Sequence, residues 1–370
     1  MSSTPVSPDQ DAVKVTISVL AKGLVETHRH IVHDRKILRQ NHEMDFNLRR
    51  GLSLLSAICL KSGYSIDIGC QPNAFTVLAG RPVGEWGPKP FATCEDKNLV
   101  LVDAGCGVPT QECRDVAASE GEAAEDIFHD RLRSASQRLG ARQSGGAYTK
   151  VREFVVRNPC LPTAKLNEFV QDFPEMASDI MSFYRPLPHS APHGRHLNLC
   201  AGCGAPLFPS HDSSSYPSGR CAIRECRMAR PSPSLKCPPI QVDVPDAWRL
   251  ADNAVLAYWV GPGLPEIELF DSIKSRGDVV LYPFSDAADI GIGKTAVGID
   301  IKSYSSATRL GLHFASKCEG LRMFDRRIVA VPDAWLRQDR DYLHTLKSVA
   351  GTRFALEFKT ISATKREFSV

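Results

Sequence analysis

Apolar residues recur at every third or fourth position from Asp11 to roughly Leu60, and this period predicts α-helices in the first part of the chain. The recurring positions are Val13, Leu20, Leu24, Ile31, Ile37, Leu48, Leu52 and Leu55. A highly charged helix is predicted from Glu120 to Leu139, and a glycine-rich linker from Gly140 to Ala147. Three short helices are predicted next, over Thr149–Arg157, Thr163–Phe169 and Glu175–Tyr184.

The chain after Gln241 alternates between strand-like and helix-like patterns, which predicts an α/β domain. The predicted strands are Asp278–Phe284, Ala296–Ser303, Arg327–Val331 and Arg353–Thr360. The predicted helices are Pro265–Arg276, Ala307–Cys318 and Asp341–Val349. The run Val255–Val260 fits either a strand or a buried helix.

The segment between these parts, from Asn198 to Ile240, is rich in Pro, Ser, Gly and Cys and reads as a loop throughout. It has too few large apolar residues to fold by apolar burial alone. We therefore divide the chain into four parts: a mostly helical N-terminal domain (1–147), a helical connector (148–195), a zinc ribbon (196–240) and the α/β domain (241–370).

Composition narrows the class of protein. The chain has 370 residues, of which 43% are hydrophobic and 24% charged, as in an ordinary globular protein with two or three domains. The net charge of +3 is only weak evidence for a polyanionic partner. The polar N-terminus and the absence of a long apolar run predict a cytoplasmic protein without a membrane partner.

Cysteine spacing indicates a structural zinc site. Five of the twelve cysteines lie between Cys200 and Cys237, and Cys200-Ala-Gly-Cys203-Gly has the form of a zinc knuckle. Cys221 and Cys226 are the best second pair, with Cys237 as the main competitor for one position and His211 as a weaker one. Buried free cysteines are the alternative, but a segment without a core offers them little burial.

Arginines surround the knuckle in the sequence. Arg220, Arg224, Arg227 and Arg230 are candidates for phosphate contacts to a nucleic acid, which position a protein without reading sequence. An ordinary solvated surface explains the same residues equally well.

The sharpest chemical signal is Asp300-Ile-Lys302 in a predicted strand, where alternation places both side chains on one face. An isolated pair of this kind is most simply a salt bridge. Upstream acids change that interpretation: Asp289 lies just before this strand and Glu268 lies in a predicted helix. Asp286 competes with Asp289 for the strand position, and Glu266 competes with Glu268.

Helical Glu, strand Asp and Asp-x-Lys in this order form the PD-(D/E)xK nuclease layout. In that interpretation Asp289 and Asp300 hold one or two Mg²⁺ or Mn²⁺ ions with hard oxygen ligands. The ions activate the attacking water, and Lys302 orients that water and offsets transition-state charge.

The overlapping run from Ala288 to Thr295 fits a relaxed Walker A pattern. A P-loop must open a helix, but Thr295 leads into a β-branched, alternating run. We therefore predict a hairpin turn over Gly291–Lys294.

These residues resemble those of the restriction-endonuclease-like proteins that accompany bacterial PIWI-RE defence modules. The resemblance extends through most of the chain. It is carried by Arg152-Glu-Phe-Val-Val, Phe183-Tyr184, Leu199-Cys200-x-x-Cys203-Gly, Glu268-Leu-Phe-Asp, Leu281-Tyr-Pro, Asp286-x-x-Asp289-Ile and Ile299-Asp300-Ile-Lys302, with Pro109-Thr110-Gln-Glu-Cys113 adding to it. The spacing between Cys221 and Cys226 is wider than in a usual knuckle, which keeps Cys237 open.

The resemblance implies a multidomain protein with a helical N-terminal region, a zinc ribbon and a C-terminal α/β restriction-endonuclease-like domain. It implies cleavage of DNA together with PIWI-like or helicase subunits of a defence complex, with Asp289, Asp300 and Lys302 as catalytic residues and Glu268 in a supporting role. A catalytically weak nucleic-acid-binding or scaffold subunit is the alternative. An RNA substrate in place of DNA, and assembly of the protein as a homodimer, are further alternatives.

Overall fold

The computed structural model describes residues 8–34, 44–118, 127–140, 144–210, 212–242 and 244–369. The chain forms two compact units. Unit 1 comprises residues 1–125 together with 304–313, and unit 2 comprises residues 126–303 and 314–370. Within the described ranges, no helix has both the length and the apolar character needed to cross a bilayer.

Unit 1 is mostly helical, which confirms the helical N-terminal region. Its helices are α1 (Pro8–Asp34), α2 (Phe46–Lys61), α3 (Pro72–Leu78), α4 (Lys89–Ala92) and α5 (Gln111–Ala118). Its strands β1 (Val102–Asp103) and β2 (Val108–Pro109) pair antiparallel. Residues 35–43 of the predicted helical stretch lie outside the described ranges. Asp45 starts α2, because its carboxylate accepts hydrogen bonds from the N–H groups of Asn47 and Leu48.

The core of unit 1 depends on a close approach of α1 and α2. A Cβ atom on Gly23 would lie 2.2 Å from the backbone nitrogen of Leu48, so only glycine fits there. A second centre is Trp86, whose ring packs edge-on against Phe75 at a centroid distance of 5.7 Å. Both aromatic side chains are about 1% exposed.

The segment 304–313, which follows the Asp-x-Lys strand in sequence, packs with unit 1. Its polar anchors explain this placement. Buried Glu112 accepts hydrogen bonds from the Ser305 hydroxyl at 2.8 Å and from the Ser306 N–H at 2.9 Å. Arg309 forms a two-pronged ion pair with buried Asp96. Local periodicity predicts a helix here but cannot indicate which unit that helix joins.

Unit 2 begins with a helical part and a small sheet. The helices are α6 (Ile127–Arg138), α7 (Ser144–Arg157), α8 (Thr163–Gln171) and α9 (Ala177–Ser182). Strands β3 (Cys160–Pro162) and β4 (Tyr184–Pro186) flank a later strand, Trp248–Ala251, antiparallel on both sides. The predicted linker up to Ala147 was wrong from Ser144 onward. Helix α7 begins there because Ala147, Tyr148 and Val151 supply a buried helical face.

The cysteine-rich segment contains short elements. They are β5 (His196–Leu197), β6 (Leu207–Phe208), β7 (Arg220–Cys221), α10 (Arg224–Ala229) and β8 (Ile240–Gln241). β5 pairs with β8, and β6 pairs with β7. The prediction of a loop throughout Asn198–Ile240 was therefore wrong for β6, β7 and α10. Strands of two residues are too short to produce a recognisable period.

The rest of unit 2 is built around a five-stranded mixed sheet. Its elements are β9 (Trp248–Ala251), α11 (Asn253–Val255), a π-helical turn (Leu256–Val260), α12 (Gly261–Ile273), β10 (Val279–Leu281), α13 (a single, partly left-handed turn, Pro283–Asp286), β11 (Ile290–Ile292), β12 (Val297–Ile301), β13 (Arg326–Val331), α15 (Asp333–Gln338), α16 (Tyr342–Ala350), β14 (Leu356–Thr360) and α17 (Ile361–Phe368). Helix α14 (Ala307–Ser316) belongs to unit 1 up to His313 and to unit 2 after it. Short 3-10 turns lie at Val83–Glu85, Pro174–Met176, Pro245–Ala247, Lys274–Arg276 and Glu319–Met323. The run Val255–Val260, whose sequence fits either a strand or a buried helix, is helical and largely buried.

The sheet has the order β10-β11-β12-β13-β14. The first three strands pair antiparallel, and β12, β13 and β14 pair parallel. The antiparallel pairing of β11 with β12 confirms a hairpin in place of a P-loop, but its turn lies at residues 293–296 rather than at Gly291–Lys294, because Gly291 belongs to β11. Gly293 and Lys294 adopt φ values of +61° and +60° in this turn. Strand β12 is central and buried, so Asp300 near its end lies inside the domain, and buried Asp289 directly precedes the neighbouring strand β11.

Candidate active site and metal centre

Three elements of unit 2 bring acidic side chains together. Helix α12 carries Glu266, the connection from β10 to β11 carries Asp286 and Asp289, and β12 carries Asp300. The Asp289 carboxylate accepts a hydrogen bond from the Ile301 N–H at 2.5 Å, which holds it against β12. Asp289 is 6% exposed and Asp300 is 9% exposed.

Lys302 lies at the end of β12, beside Asp300. Its ammonium donates a hydrogen bond to the Asp300 carboxylate at 2.8 Å, and its side chain is 26% exposed. Strand alternation had predicted that these two side chains share a face, and this contact confirms it. The Lys302 side chain therefore lies between the buried acids and the solvent.

Burial dominates the electrostatics of Asp289. Desolvation raises the pKa of its carboxyl well above the ordinary value, and the neighbouring charges of Glu266 and Asp300 raise it further. Lys302 acts in the opposite direction. Carboxylates that repel each other in a buried place are typical of cation sites and of catalytic sites.

Glu266 faces this cluster, whereas Glu268 does not. Glu266 is 2% exposed, and it accepts a hydrogen bond from the buried Tyr282 hydroxyl at 2.7 Å. Desolvation raises the pKa of Glu266, while Arg152 lowers it. Residues two positions apart on an α-helix are rotated by roughly 200° about its axis, so the Glu268 side chain points away from the acidic cluster. Glu268 is exposed and lines a cavity of about 720 Å³ with Gly202.

Asp286 also lies at the cluster, where it forms an ion pair with Arg152. It belongs to a turn with unusual backbone angles: Tyr282, Phe284, Ser285 and Asp286 have φ values of +50°, +53°, +56° and +82°. Left-handed conformations at non-glycine residues cost free energy and concentrate at functional sites. The turn ends the predicted strand at Leu281 rather than at Phe284.

The acids fit a divalent ion through the chemistry of their donors, because carboxylate oxygens are the ligands that Mg²⁺ and Mn²⁺ prefer. Among the described residues, the groups of three or more possible ligands within 4.8 Å of one another do not include these acids. An ion here would thus be held by two carboxylates together with water or a phosphate, which is a usual arrangement for Mg²⁺.

Four buried cysteines form a second centre, on the ribbon. The sulfur atoms of Cys200, Cys203, Cys221 and Cys226 all lie within 4.8 Å of one another. The Cys200 and Cys226 sulfurs are 3.6 Å apart, and those of Cys203 and Cys221 are 3.5 Å apart. A tetrahedron with metal–sulfur bonds of about 2.3 Å has edges of about 3.8 Å, so the group fits one zinc ion. Hydrogen bonds with the other three thiols lower the pKa of Cys200.

The local backbone explains this convergence. Gly204 has a φ of +77°, and its N–H donates to the Cys200 carbonyl at 2.8 Å, which makes the tight turn expected beneath the knuckle. The guanidinium of Arg227 donates to the Cys221 carbonyl at 2.8 Å. Cys237 does not belong to the four-sulfur group. His211 lies outside the described residues.

The candidate phosphate-binding arginines differ in their surroundings. Arg220 and Arg230 are exposed, and Arg220 lies over the Tyr216 ring at 5.6 Å. Arg224 lies over the Trp335 ring at 5.1 Å. Arg227 supports the ribbon backbone and is less available to a ligand.

Two family models match the chain. One is described as the REase associating with pPIWI_RE and matches residues 263–367, so the C-terminal part of the protein is a REase-like domain. The other is described as domain Y of the pPIWI_RE three-gene island and matches residues 16–162. The two matches support an association of the protein with pPIWI_RE defence modules, which confirms the resemblance seen in the sequence. No curated protein and no solved structure shows significant similarity to the chain.

Sequence reasoning did not assign a place in the site to Arg152, which entered only as part of the resemblance. Arg152 is 5% exposed and contacts both Glu266 and Asp286. A signal was present, because Arg152 shares the apolar face of α7 with Tyr148, Val151 and Val155. An arginine on a buried helix face requires an acidic partner.

Proposed function

We propose that this protein is a metal-dependent nuclease that hydrolyses phosphodiester bonds of DNA within a pPIWI_RE defence module. The observation that carries the proposal is the cluster of Asp289, Asp300, Lys302 and Glu266 inside a domain that a REase model matches. The PD-(D/E)xK fold is part of the proposal. The mixed sheet, with an Asp-x-Lys sequence on its central strand, supports it.

Asp289 and Asp300 are the residues proposed to hold Mg²⁺ or Mn²⁺. When bound, such an ion polarises the scissile phosphate and lowers the pKa of a coordinated water. The protein's own contribution is positioning. The N–H of Ile301 fixes the Asp289 carboxylate, and Asp300 holds the Lys302 ammonium, which would offset negative charge on a bound phosphate.

The ribbon supplies the second part of the proposal. Zinc at Cys200, Cys203, Cys221 and Cys226 is structural, because four thiolates leave no open position for water. The exposed Arg220 and Arg230 are the best candidates for contacts with the phosphate backbone. Arg224 and Arg227 contribute first to packing and to the ribbon backbone.

The names of the matching models support an assembly with other proteins of the island. The Y-domain model refers to a three-gene island, and the REase model refers to association with pPIWI_RE. We propose PIWI-like or helicase subunits as the partners and a cytoplasmic location.

Cleavage of plasmid DNA by the purified full chain with Mg²⁺ or Mn²⁺ tests the proposal. Asp300→Ala and Lys302→Ala should each abolish cutting while the melting temperature stays near that of the wild type. Lys294→Ala is the matched control, because this lysine lies in the β11–β12 turn at +60° and should leave cutting unchanged. Equal activity of all four proteins would end the nuclease proposal, and loss in Lys294→Ala alone would favour a phosphate-binding loop.

One observation favours a second candidate, a nucleic-acid-binding or scaffold subunit. The Lys302 ammonium is engaged by Asp300 at 2.8 Å, which is also what a plain strand salt bridge looks like. This candidate predicts DNA binding that persists in a metal chelator, with no cutting under any divalent ion. Parallel assays with single-stranded RNA and single-stranded DNA show which of the two the protein binds or cuts.

A further inference from the structure

Arg152 is a buried cation beside the candidate active site, and the proposed roles of Asp289, Asp300 and Lys302 do not use it. One arm of its guanidinium lies 3.5 Å from the Glu266 carboxylate, and the other pairs with the Asp286 carboxylate. Its guanidinium carbon lies 4.1 Å from the centre of the Tyr282 ring. A cation with two acidic partners and an aromatic face has few other conformations open to it.

The surrounding elements keep Arg152 in place. It comes from α7, whose buried face packs inside unit 2, and its guanidinium lies 3.3 Å from the Tyr148 hydroxyl. The turn that carries Tyr282 and Asp286 is held in its left-handed conformation by the same contacts. Arg152 therefore connects the connector helix, helix α12 and the turn before β11.

A count of charges shows what remains for a metal ion. The cluster contains four carboxylates, those of Glu266, Asp286, Asp289 and Asp300, and two cations, Arg152 and Lys302. A cation-bound site requires ionised carboxylates, which offsets the raised pKa of Asp289 and Glu266, and with all six groups ionised the formal sum is −4 + 2 = −2. One divalent ion balances this charge, while a second would leave a buried excess of positive charge, which is unfavourable.

Arg152 also covers one end of the cluster. Glu266 and Asp286 are engaged by the guanidinium, whereas Asp289 and Asp300 are not. We propose that Arg152 is a fixed internal counter-ion that limits the site to one divalent cation, held at Asp289 and Asp300. The inference rests on the proposed function, and it identifies Arg152 as a positioning residue rather than a catalytic one.

Titration of the zinc-loaded full chain with Mn²⁺, followed by calorimetry and by the paramagnetic resonance signal of free Mn²⁺, tests the inference without any activity assay. Mn²⁺ prefers oxygen ligands, so the four thiolates of the ribbon do not compete for it. The wild type should bind one Mn²⁺ per chain, and Asp300→Ala should lose it. Arg152→Met should bind two, because Glu266 and Asp286 are released. Arg152→Lys, which keeps the charge, should bind one.

Arg157→Met is the matched control, since this arginine lies on the same helix and pairs with Asp271 at 2.9 Å on the surface. It should bind one Mn²⁺. Two ions in the wild type, or a single ion in a folded Arg152→Met protein, would overturn the inference while leaving the nuclease proposal intact. No ion in the wild type would remove both. Should Arg152→Met not fold, Arg152→Gln takes its place, with two ions supporting the inference and one ion refuting it.

Discussion

Replacing Cys226 by serine tests the metal centre of the ribbon most directly, because Cys226 competes in sequence with Cys237 for the fourth position. The Cys226 sulfur lies 3.6 Å from that of Cys200 and belongs to the four-sulfur group, whereas Cys237 does not. Cys226→Ser should therefore open the coordination shell. Cys237→Ser should leave it closed.

The magnitude follows from the number of ligands. Structural zinc binds with an apparent free energy of about 10–16 kcal/mol at neutral pH. If the four thiolates contribute equally, losing one removes about 2.5–4 kcal/mol. This loss corresponds to a dissociation constant roughly 10²–10³ times weaker. Because the segment has few large apolar residues, the loss of metal should also loosen its short strands and α10.

The assay is a competition for zinc between the protein and a chromophoric chelator, combined with limited proteolysis. Cys226→Ser should release its zinc at a far lower chelator concentration than the wild type, and it should be cleaved within residues 196–240. Cys237→Ser should match the wild type in both measurements. Zinc held as tightly in Cys226→Ser as in the wild type, or released equally in both variants, would refute the four-sulfur centre.

Three further predictions concern stability. Trp86→Ala removes the buried aromatic centre of unit 1 and should cost about 3–5 kcal/mol in chemical denaturation; a cost below about 1 kcal/mol would contradict this packing. Arg309→Met removes the ion-pair partner of buried Asp96, so the rate of amide hydrogen exchange in the first turns of α14 should rise. Unchanged protection of these amides would contradict the role of this ion pair in holding α14. The hydrogen bond from Arg326 lowers the pKa of Glu357 to about 2, below the 4.5 of a free glutamate, so this half-exposed pair stabilises the fold above about pH 4.5 and loses its effect as the pH falls toward 2. Arg326→Met should remove about 0.2–1 kcal/mol at neutral pH and much less at pH 2, as measured by thermal unfolding at both values.

The local elements of both units were predicted well where their pattern was long. The helical period before Leu60 corresponds to α1 and α2, and the alternation around Asp300 corresponds to β12. The hairpin before β12 was predicted because Thr295 leads into an alternating run, which cannot open a helix. Strand β11 and helix α17 were missed, because three residues show no period and the last eight helical residues follow a strand without a break.

The choice between neighbouring acids was left open by the sequence. Glu266 and Glu268 are both glutamates in the middle of the same helix, and only the packing of α12 turns Glu266 inward. In the same way, Asp286 pairs with Arg152 while Asp289 lies against β12. Arg152 and Glu266 are separated by 114 positions in the sequence, so no local pattern relates them.

By itself the sequence determined the residue chemistry of this protein: thiols at knuckle spacing, an acid and a lysine on one strand face, and a helical N-terminal region. These follow from short-range spacing, which backbone geometry converts directly into shared faces and turns. Only the tertiary structure decided which second cysteine pair joins the knuckle, which glutamate faces the acids, that a buried arginine accompanies them and that residues 304–313 pack with unit 1. Those outcomes depend on burial and charge pairing between segments far apart in the chain, and spacing carries no information about them.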